Sequence, residues 1–451
     1  MYIIVVGCGK VGYTLVEQLS GENHNIVVVD ERAERVQELT ESLDAMGVVG
    51  NGISHQTLME AGIDKADLLV AVTGSDEQNL LCCVLAKKAG HCNAIARVRN
   101  PIYHKELEFL QKEFGLAMII NPESAAANEI ARLFQFPSAL EIDSFANGHV
   151  ELLHFRIGKN SPLIHEKVMN IRTFHHNILV AMVKRNDQVI IPNGEFVFEE
   201  GDIAAIAADP AEATSFFKKL GIGTGRVSNA MIIGGGTIAY YLAEKLIATG
   251  IRTTIIEVNR ERCEELSDKL PNAVIVHGDG TDQNLLLQEG LPNAEGFAAL
   301  TGLDEENILL SLYAKGISNA KIMTKINRIK FTEVINNLNL DSIVYPRLTT
   351  AALITKYVRS MSNSMGSNVE NLYRLEDGKA EALEFIIHES SPVVGIPLHQ
   401  LRIRKNILIA CIYHRGKVII PGGNDCMQIG DSVVVIAANH RIGDINEILE
   451  A

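Results

Sequence analysis

The sequence lacks the features that mark several common protein classes. No stretch reaches the ~18 uninterrupted apolar residues that a membrane-spanning helix needs. The 451 residues carry a formal net charge of −14, which disfavours nucleic acid or an anionic membrane surface as the main partner. The N-terminus has no basic region before its apolar run, so it is predicted to be a strand rather than a signal peptide. These absences favour a soluble, cytoplasmic protein that binds no nucleic acid.

Cysteine pairs and catalytic motifs are also missing. The seven cysteines are odd in number and form no CxxC pair, which indicates reduced thiols. Cys82 and Cys83 lie in an apolar helical pattern and are expected in the core. The sequence contains no HExxH, no GxSxG, no Walker GxxxxGK[ST] and no Cys/His metal spacing. We therefore predict no catalytic residue and no metal site.

The chain does contain a glycine-rich turn that occurs twice. VVGCGKVG (5–12) and IIGGGTIA (232–239) match after a shift near 227 residues. Matching blocks follow each turn, among them AGIDKADLLVAVTGSDEQN with EGLPNAEGFAALTGLDEEN, and NILVAMVKRNDQVIIP with NILIACIYHRGKVIIP. The sequence is therefore one two-domain unit used twice.

The hydrophobic pattern within each unit predicts two kinds of domain. Short apolar runs first alternate with helical periodicity, which is typical of a parallel sheet with helices on both faces. Short strands with few helices then indicate a small α+β domain. The prediction is an α/β chain of two tandem Rossmann-like parallel-sheet domains, each followed by a small α+β domain, with bounds 1–134, 135–222, 223–360 and 361–451. KLGIGTGRVSNA (219–230) and RSMSNSMGSN (359–368) are expected to be surface joints.

The first glycine turn follows a strand and opens a helix, as a dinucleotide-binding turn does. Gly7 allows the tight turn, Gly9 allows close contact with phosphate, and Gly12 lets the helix pack on the strand. Asp30 ends the second strand, where a carboxylate can accept the ribose hydroxyls and would repel a 2′-phosphate. NAD(H) or a plain adenine nucleotide is therefore favoured over NADP. Arg32 follows the acid and does not replace it.

Other positions at the predicted carboxyl edge of each sheet are candidates with an alternative explanation. Asn51 and Asp279 follow the third strand, where an adenine would lie. Thr73-Gly74 and Thr301-Gly302 end the fourth strands, and each pair either faces the ligand or belongs to a helix cap. Arg97 either reaches the phosphates or forms a surface salt bridge.

The second turn departs from the first in three ways. Ala239 replaces the third glycine, Glu257 replaces the aspartate, and Thr237 is neutral where Lys10 is charged. It is either a second nucleotide site or a structural copy without ligand. If both sites bind, they are expected to differ in affinity or in ligand.

The chain resembles the TrkA family, the peripheral subunits of bacterial Trk potassium-uptake systems. The resemblance rests on VVGCGKVG…VVVD…GNG…VAVTGSDEQN, on IINPESAAA, on VIIPNGEFVFEEGD and on their tandem repetition. It implies two RCK (or KTN) domains per chain, each with its RCK C-terminal domain, binding NAD(H) and also ATP or ADP. It further implies a homo-oligomer, a dimer or tetrameric ring, on the inner face of the cell membrane, where it gates a potassium-translocating subunit of the TrkH/TrkG type.

The resemblance also implies binding roles for particular residues, and Glu123 in NPESAAA is expected near the terminal phosphate or a cation. Arg347 takes its place in the second half. With the residues selected by the motif, the candidates in the first half are Gly7, Cys8, Gly9, Lys10, Val11, Gly12, Asp30, Arg32, Asn51, Thr73, Gly74, Arg97 and Glu123. Those in the second half are Gly234, Gly235, Gly236, Thr237, Ile238, Glu257 and Asp279.

Two alternative functions remain open at this stage. One is an NAD-dependent oxidoreductase with an unrecognised substrate site, and the other is a nucleotide sensor for a different partner. An oxidoreductase needs a substrate pocket with an acid or base. The small domains are too short to supply one, so we predict that the chain is not an enzyme.

Overall fold

The fold is described from a computed structural model of the chain. It describes all residues except 23, 105, 175–176, 187, 222–225, 328–334, 336–337, 339, 364–368, 376–378, 389–390, 441 and 451. No helix in this described part of the chain is both long enough and apolar enough to cross a membrane.

The first 135 residues contain a parallel sheet with helices between its strands. Its strands are β1 (Tyr2–Val6), β2 (Asn25–Asp30), β3 (Met46–Val49), β4 (Leu68–Ala71), β5 (Asn93–Arg97) and β6 (Met118–Ile120). The helices are α1 (Lys10–Ser20), α2 (Ala33–Ser42), α3 (His55–Glu60), α4 (Asp76–Ala89), α5 (Pro101–His104), α6 (Leu107–Glu113) and α7 (Pro122–Gln135). The strand order is β3-β2-β1-β4-β5-β6, the order of a dinucleotide-binding sheet.

A small antiparallel sheet follows. Its elements are β7 (Glu141–Phe145), β8 (Val150–Arg156), α8 (Val168–Phe174), β9 (Leu179–Arg185), β10 (Gln188–Ile190), β11 (Ile203–Ala208) and α9 (Pro210–Lys219). The order is β10-β9-β11-β8-β7. Every pairing in this sheet is antiparallel, as the short strands of a small α+β domain predict.

The second half repeats both sheets. Its parallel domain contains β12 (Asn229–Ile233), α10 (Thr237–Ala248), β13 (Arg252–Glu257), α11 (Arg260–Lys269), β14 (Val274–His277), α12 (Gln283–Gln288), β15 (Gly296–Ala299), α13 (Asp304–Ile317), β16 (Lys321–Lys325), β17 (Ser342–Val344) and α14 (Pro346–Asn363). Its small domain contains β18 (Val369–Leu375), β19 (Ala380–Ile386), β20 (Ile407–His414), β21 (Lys417–Ile419) and β22 (Ser432–Ala438). The orders β14-β13-β12-β15-β16-β17 and β18-β19-β22-β20-β21 reproduce those of the first half.

Apolar strands explain why each parallel sheet is a buried middle layer. Ile3, Ile4 and Val5 of β1 are fully buried, because helices cover both faces of a parallel sheet and its central strands need no polar face. Cys82 and Cys83 are buried in the core of the same domain, as predicted. The strand order reverses between β1 and β4. Ligands of such sheets bind at that reversal, outside the carboxyl ends of the strands.

The chain divides into two compact units. One contains Met1–Ala131 and Val227–Thr355, and the other contains Arg132–Arg226 and Lys356–Ala451. The first unit therefore holds both parallel sheets, and the second holds both small sheets. The four domain bounds drawn from the sequence remain predictions.

The expected joint at 359–368 needs a correction. Helix α14 continues to Asn363, so the first half of this segment is helical, and residues 364–368 lie outside the described residues. In the other joint, helix α9 ends at Lys219, and residues 222–225 lie outside the described residues. Serine and asparagine lower helix propensity only slightly. The several Ser and Asn residues in RSMSNSMGSN are therefore a weak indication that the helix ends there.

The close packing of the first turn predicts opposite effects for two glycine substitutions. A Cβ on Gly12 would lie 1.9 Å from the Gly7 carbonyl oxygen, whereas a Cβ on Gly316, exposed in α13, meets nothing within 4 Å. Gly12→Ala is expected to destabilise the fold by about 1–3 kcal/mol through overpacking. Gly316→Ala, the matched control, should stabilise it by about 0.5–1 kcal/mol through helix propensity. Thermal unfolding of both variants tests this, and an unchanged midpoint for Gly12→Ala would contradict it.

Candidate functional site

The first glycine turn leaves the amino end of α1 open. Gly7 has φ of +107°, which favours glycine, and a Cβ there would lie 3.0 Å from the Thr73 amide nitrogen. The structure thus brings the turn after β1 against the end of β4. Gly9 is the N-cap of α1 and has no side chain to accept the first helical N–H groups, and the first turn of the helix contains no acid. Such an end attracts an anion through its free N–H groups and the helix dipole.

The Asp30 carboxylate is fixed to this turn. The Cys8 amide donates to Oδ2 of Asp30 at 2.8 Å, and the Arg32 amide donates to Oδ1 at 3.0 Å. Arg32 therefore contacts the carboxylate through its backbone amide, while its side chain is exposed. The structure brings Gly7, Cys8 and Asp30 together as predicted, with the carboxylate beside the open helix end.

The second turn repeats this geometry with a longer acid. Gly235 donates to Oε2 of Glu257 at 2.6 Å, and the Asn259 amide donates to Oε1 at 2.7 Å. Gly236 is the N-cap of α10, again without a side-chain cap. Although glutamate is one methylene longer than aspartate, its carboxylate accepts hydrogen bonds from the amides at the two equivalent positions.

Cys8 is a buried part of the first turn rather than a reactive thiol. Burial, with a smaller contribution from the neighbouring Asp30 charge, raises the pKa of Cys8 to about 12. The matching Gly235 has no room for a side chain, because a Cβ there would lie 2.6 Å from Leu266 Cδ1. The two turns therefore differ in the side chain that they can hold at this position.

A buried asparagine that the motif analysis did not select fixes the ends of β4 and β5. Asn79, fully buried, accepts from the Thr73 amide at 2.8 Å and from the Thr73 hydroxyl at 2.7 Å, and donates to the Arg97 carbonyl at 2.8 Å. Asn307 makes the same contacts with Thr301 and Lys325 in the second half. The repeated DEQN and DEEN tetrapeptides were the signal in the sequence.

Thr73 and Gly74 lie at the carboxyl edge but not in a simple helix cap. Ser75 is the N-cap of α4 and accepts from the Gln78 amide at 3.2 Å. The Gly74 carbonyl accepts from Nη2 of Arg99 at 2.5 Å. Arg99 thus lines this edge as well, although the sequence analysis did not select it.

Arg97 and Glu123 each have one buried side-chain atom without a hydrogen-bond partner among the described residues. Nη2 of Arg97 donates to the Thr73 carbonyl at 2.7 Å, while its buried Nε has no hydrogen-bond partner among the described residues. Burial first, and then the neighbouring Arg99, lower the pKa of Arg97. Oε2 of Glu123 is buried and also lacks a partner in this part of the chain. Arg97 makes no ion pair with a described carboxylate, so the surface salt bridge considered above is not seen.

We call the carboxyl edge of each parallel sheet, at its glycine turn, a cleft. The first cleft, at Gly7–Gly12, carries more positive charge than the second, at Gly234–Ala239. Lys10, Arg32 and Arg99 correspond to Thr237, Asn259 and Asn327. Arg35, another residue missed by the motif analysis, has Nη1 4.0 Å from the Cβ position of Gly9. Its counterpart Arg262 instead donates to the Gly235 carbonyl at 2.7 Å.

The remaining candidates occupy the two turns and the loops after the third strands. Lys10 is exposed, Val11 and Thr237 are half-buried, and Ile238 is buried. Asn51 accepts from the Ile53 amide at 2.9 Å. Asp279 accepts from the Thr281 amide at 2.8 Å, and the hydrogen bonds from Thr281 lower the pKa of Asp279.

Asn51 and Asp279 are therefore engaged in local turns, and a contact with adenine stays a prediction for both. No group of three or more possible metal ligands is present among the described residues.

The fold and its paired turns define a tandem Rossmann-like protein with two dinucleotide-type clefts per chain. The TrkA-N domain model matches residues 3–122 and 230–346, and the TrkA-C domain model matches residues 152–221 and 382–450. The chain belongs to the TrkA family, which confirms the predicted resemblance and fold class.

Curated relatives match over almost the whole chain. A Trk system potassium uptake protein TrkA homolog 1 from Methanosarcina mazei is 32% identical and covers 99% of this chain and 99% of its own length. The Trk system potassium uptake protein TrkA of Vibrio alginolyticus is 32% identical over 100% of this chain and 99% of its own. These relatives are named for potassium uptake.

Solved structures share the fold at low identity. The GsuK channel bound to NAD aligns with a TM-score of 0.64 and 18% identity, covering 97% of this chain and 77% of that one. GsuK bound to ADP aligns with a TM-score of 0.52 and 16% identity, covering 80% and 69%.

The buried Glu123 carboxylate predicts a pH-dependent cost in stability. Burial raises the pKa of Glu123 above its ordinary 4.5, although Arg99 and Arg97 oppose the shift. A raised pKa in the fold means that the ionised form is disfavoured there, so the cost is present above the folded pKa and disappears below the unfolded one.

Glu123→Gln is therefore expected to raise the unfolding midpoint of the ligand-free protein near neutral pH. The gain should shrink as the pH is lowered toward the ordinary pKa of glutamate. Unfolding scans of both proteins across this range measure it. A loss of stability at neutral pH, or a gain that does not depend on pH, would contradict the prediction.

Proposed function

We propose that the chain is a cytosolic regulatory subunit that binds NAD(H), or ATP and ADP, and gates a membrane potassium transporter. One observation carries the proposal. In each half, a carboxylate that ends the second strand is bonded to an amide of a glycine turn, beside a helix end without a cap. This arrangement presents anion-binding N–H groups and a ribose acceptor side by side. It supports a nucleotide in both clefts.

The residues of the first cleft fit an adenine nucleotide. A Cβ on Gly7 would lie 3.0 Å from the Thr73 amide nitrogen, so backbone alone forms the turn at this point. Arg97, whose Nε has no partner in the described part of the chain, and the exposed Lys10 supply positive charge that phosphates would neutralise. Asp30 would accept the ribose hydroxyls while it keeps the amides of the turn. Glu123 would lie beside the terminal phosphate or its cation.

The second cleft has the same glycine turn and carboxylate as the first but fewer positive charges. Glu257 can accept ribose hydroxyls, whereas Thr237 and Asn327 replace the cationic Lys10 and Arg99. A polyphosphate therefore gains less from this cleft than from the first, because each missing cation removes a charge-assisted contact. We propose that the first cleft is the stronger site.

Regulation requires that the nucleotide has different affinities for two states of the protein. The relatives' names refer to Trk potassium uptake, which supports a membrane potassium transporter as the partner, and we propose a potassium-translocating subunit of the TrkH/TrkG type. We propose that the chain assembles as a dimer or tetrameric ring on the inner face of the membrane, with the small domains for dimerisation or effector binding.

Flux measurements test this function directly. In vesicles that contain the potassium-translocating subunit and this chain, a saturating nucleotide is expected to change potassium flux about fivefold or more, the usual range of coupling. Vesicles without the chain are the control. A potassium flux that does not change on addition of NADH, NAD+, ATP or ADP would contradict the proposal. Robust NADH oxidation with carbonyl substrates would contradict it as well.

Removal of the ribose acid in each cleft predicts unequal effects. Asp30→Ala is expected to weaken nucleotide binding in the first cleft by about 1.5–3 kcal/mol, because charged hydrogen bonds to the ribose are lost. Glu257→Ala is the matched control and should leave the first cleft occupied, with a smaller change in its affinity than Asp30→Ala causes. Asp30→Asn keeps one acceptor for the turn and separates loss of charge from loss of turn geometry. Calorimetry measures each affinity, and an Asp30→Ala affinity equal to that of the unmodified chain would refute the assignment.

A further inference from the structure

A tyrosine of the second parallel domain is hydrogen-bonded to the first. Tyr241 lies in α10, one helical turn after the Gly236 cap, and its side chain is fully buried. Its hydroxyl accepts from Nδ2 of Asn121 at 2.9 Å and donates to the Arg99 carbonyl at 3.1 Å. Both partners belong to the first parallel domain, which shares a compact unit with the second.

Both partners lead to the edge of the first cleft. Oδ1 of Asn121 accepts from the Ser124 amide at 2.9 Å, so Asn121 caps the helix that carries Glu123. The Arg99 amide donates to Oδ2 of Asp76 at 2.8 Å, and its guanidinium donates to the Gly74 carbonyl. The hydroxyl of Tyr241 is thus two hydrogen-bonded steps from Gly74 and one from the start of the Glu123 helix.

Among the described residues, the Tyr241 contact has no counterpart in the helix after the first glycine turn. Thr14 occupies the matching position of α1, and its hydroxyl donates to the Lys10 carbonyl within the same helix. The second domain also places Lys325 near the same region. Burial lowers the pKa of Lys325, and the charges of Asp304 and Glu123 oppose this shift. The charge of Lys325 in the second domain therefore interacts with that of Glu123 in the first.

We infer that Tyr241 is a positioning residue through which the second domain shapes the first nucleotide cleft, so that a ligand in the second cleft changes the affinity of the first. The physical reason is the place of Tyr241 on α10. A phosphate bound at the open end of α10 contacts the same rigid helix that holds Asn121 and Arg99. Close-packed interiors transmit small displacements rather than absorb them. The inference rests on the proposed binding of nucleotides.

A cycle of variants tests the coupling. NADH affinity of the first cleft is measured by calorimetry on the full chain, with and without Glu257→Ala, which disables the second cleft. In the unmodified background, Glu257→Ala is expected to change that affinity about fivefold, the lower end of usual coupling. In the Tyr241→Phe background the same change should fall below about twofold, since the transmitting hydroxyl is gone.

Tyr240→Phe is the matched control. Tyr240 is the adjacent residue of α10, and its hydroxyl makes no hydrogen bond among the described residues, so its loss should keep the full effect. Asn121→Ala breaks the same contact from the other side and should reproduce Tyr241→Phe. It also keeps the test open if one variant does not fold. A general loosening of the protein would shift affinity equally with and without Glu257→Ala, which the cycle cancels.

The outcomes separate the inference from the proposed function. An equal effect of Glu257→Ala in the unmodified, Tyr241→Phe and Asn121→Ala backgrounds would overturn the inference while nucleotide binding stands. The absence of any effect of Glu257→Ala in the unmodified chain would overturn it as well. The absence of NADH binding to the unmodified chain would overturn the proposed function and this inference with it.

Discussion

The hydrogen bond from an amide of the glycine turn to the carboxylate that ends the second strand fixes each nucleotide-type cleft. Asp30 holds Cys8 in the first half, and Glu257 holds Gly235 in the second. Gly7 and Gly234 lie against the backbone at the end of the fourth strand of each sheet, and the helix after each turn has no side-chain cap. The N–H groups that would bind phosphate, and the acceptor that would bind ribose, are therefore placed before a ligand arrives. Preorganisation of this kind lowers the ordering cost of binding.

The two halves share the hydrogen bonds that fix the strand ends but differ in the charged residues around them. Asn79 and Asn307 hold the strand ends in the same way, so the scaffold of the edge is common to both halves. Lys10, Arg99 and Glu123 lie at the first edge, whereas Thr237, Asn327 and Arg347 occupy the corresponding sequence positions. If both clefts bind nucleotide as proposed, they would favour ligands of different charge, and the hydrogen bond between Tyr241 and Asn121 joins the two parallel domains.

Repetition and periodicity were enough to predict the fold class and the positions of both turns, because Gly7 and Asp30 stand in the local context that their chemistry requires. Asn79 and Arg99 were not selected, since their partners lie 18 and 25 residues away and only the fold brings them together. The contact of Tyr241 with Asn121 spans 120 residues and has no local signal at all. The joint expected at 359–368 begins too early, because Ser and Asn in the last turn of α14 resemble a linker. Contacts between distant residues thus account for what the motifs could not show.

The central claim is that the two clefts bind adenine nucleotides through their glycine turns. A crystal structure of the full chain grown with NADH tests it most directly. The account predicts density for the dinucleotide in the first cleft, with the pyrophosphate at the start of α1 and the ribose hydroxyls on Asp30. Clefts that stay empty at saturating NADH, with the helix ends covered by the protein's own side chains, would contradict it.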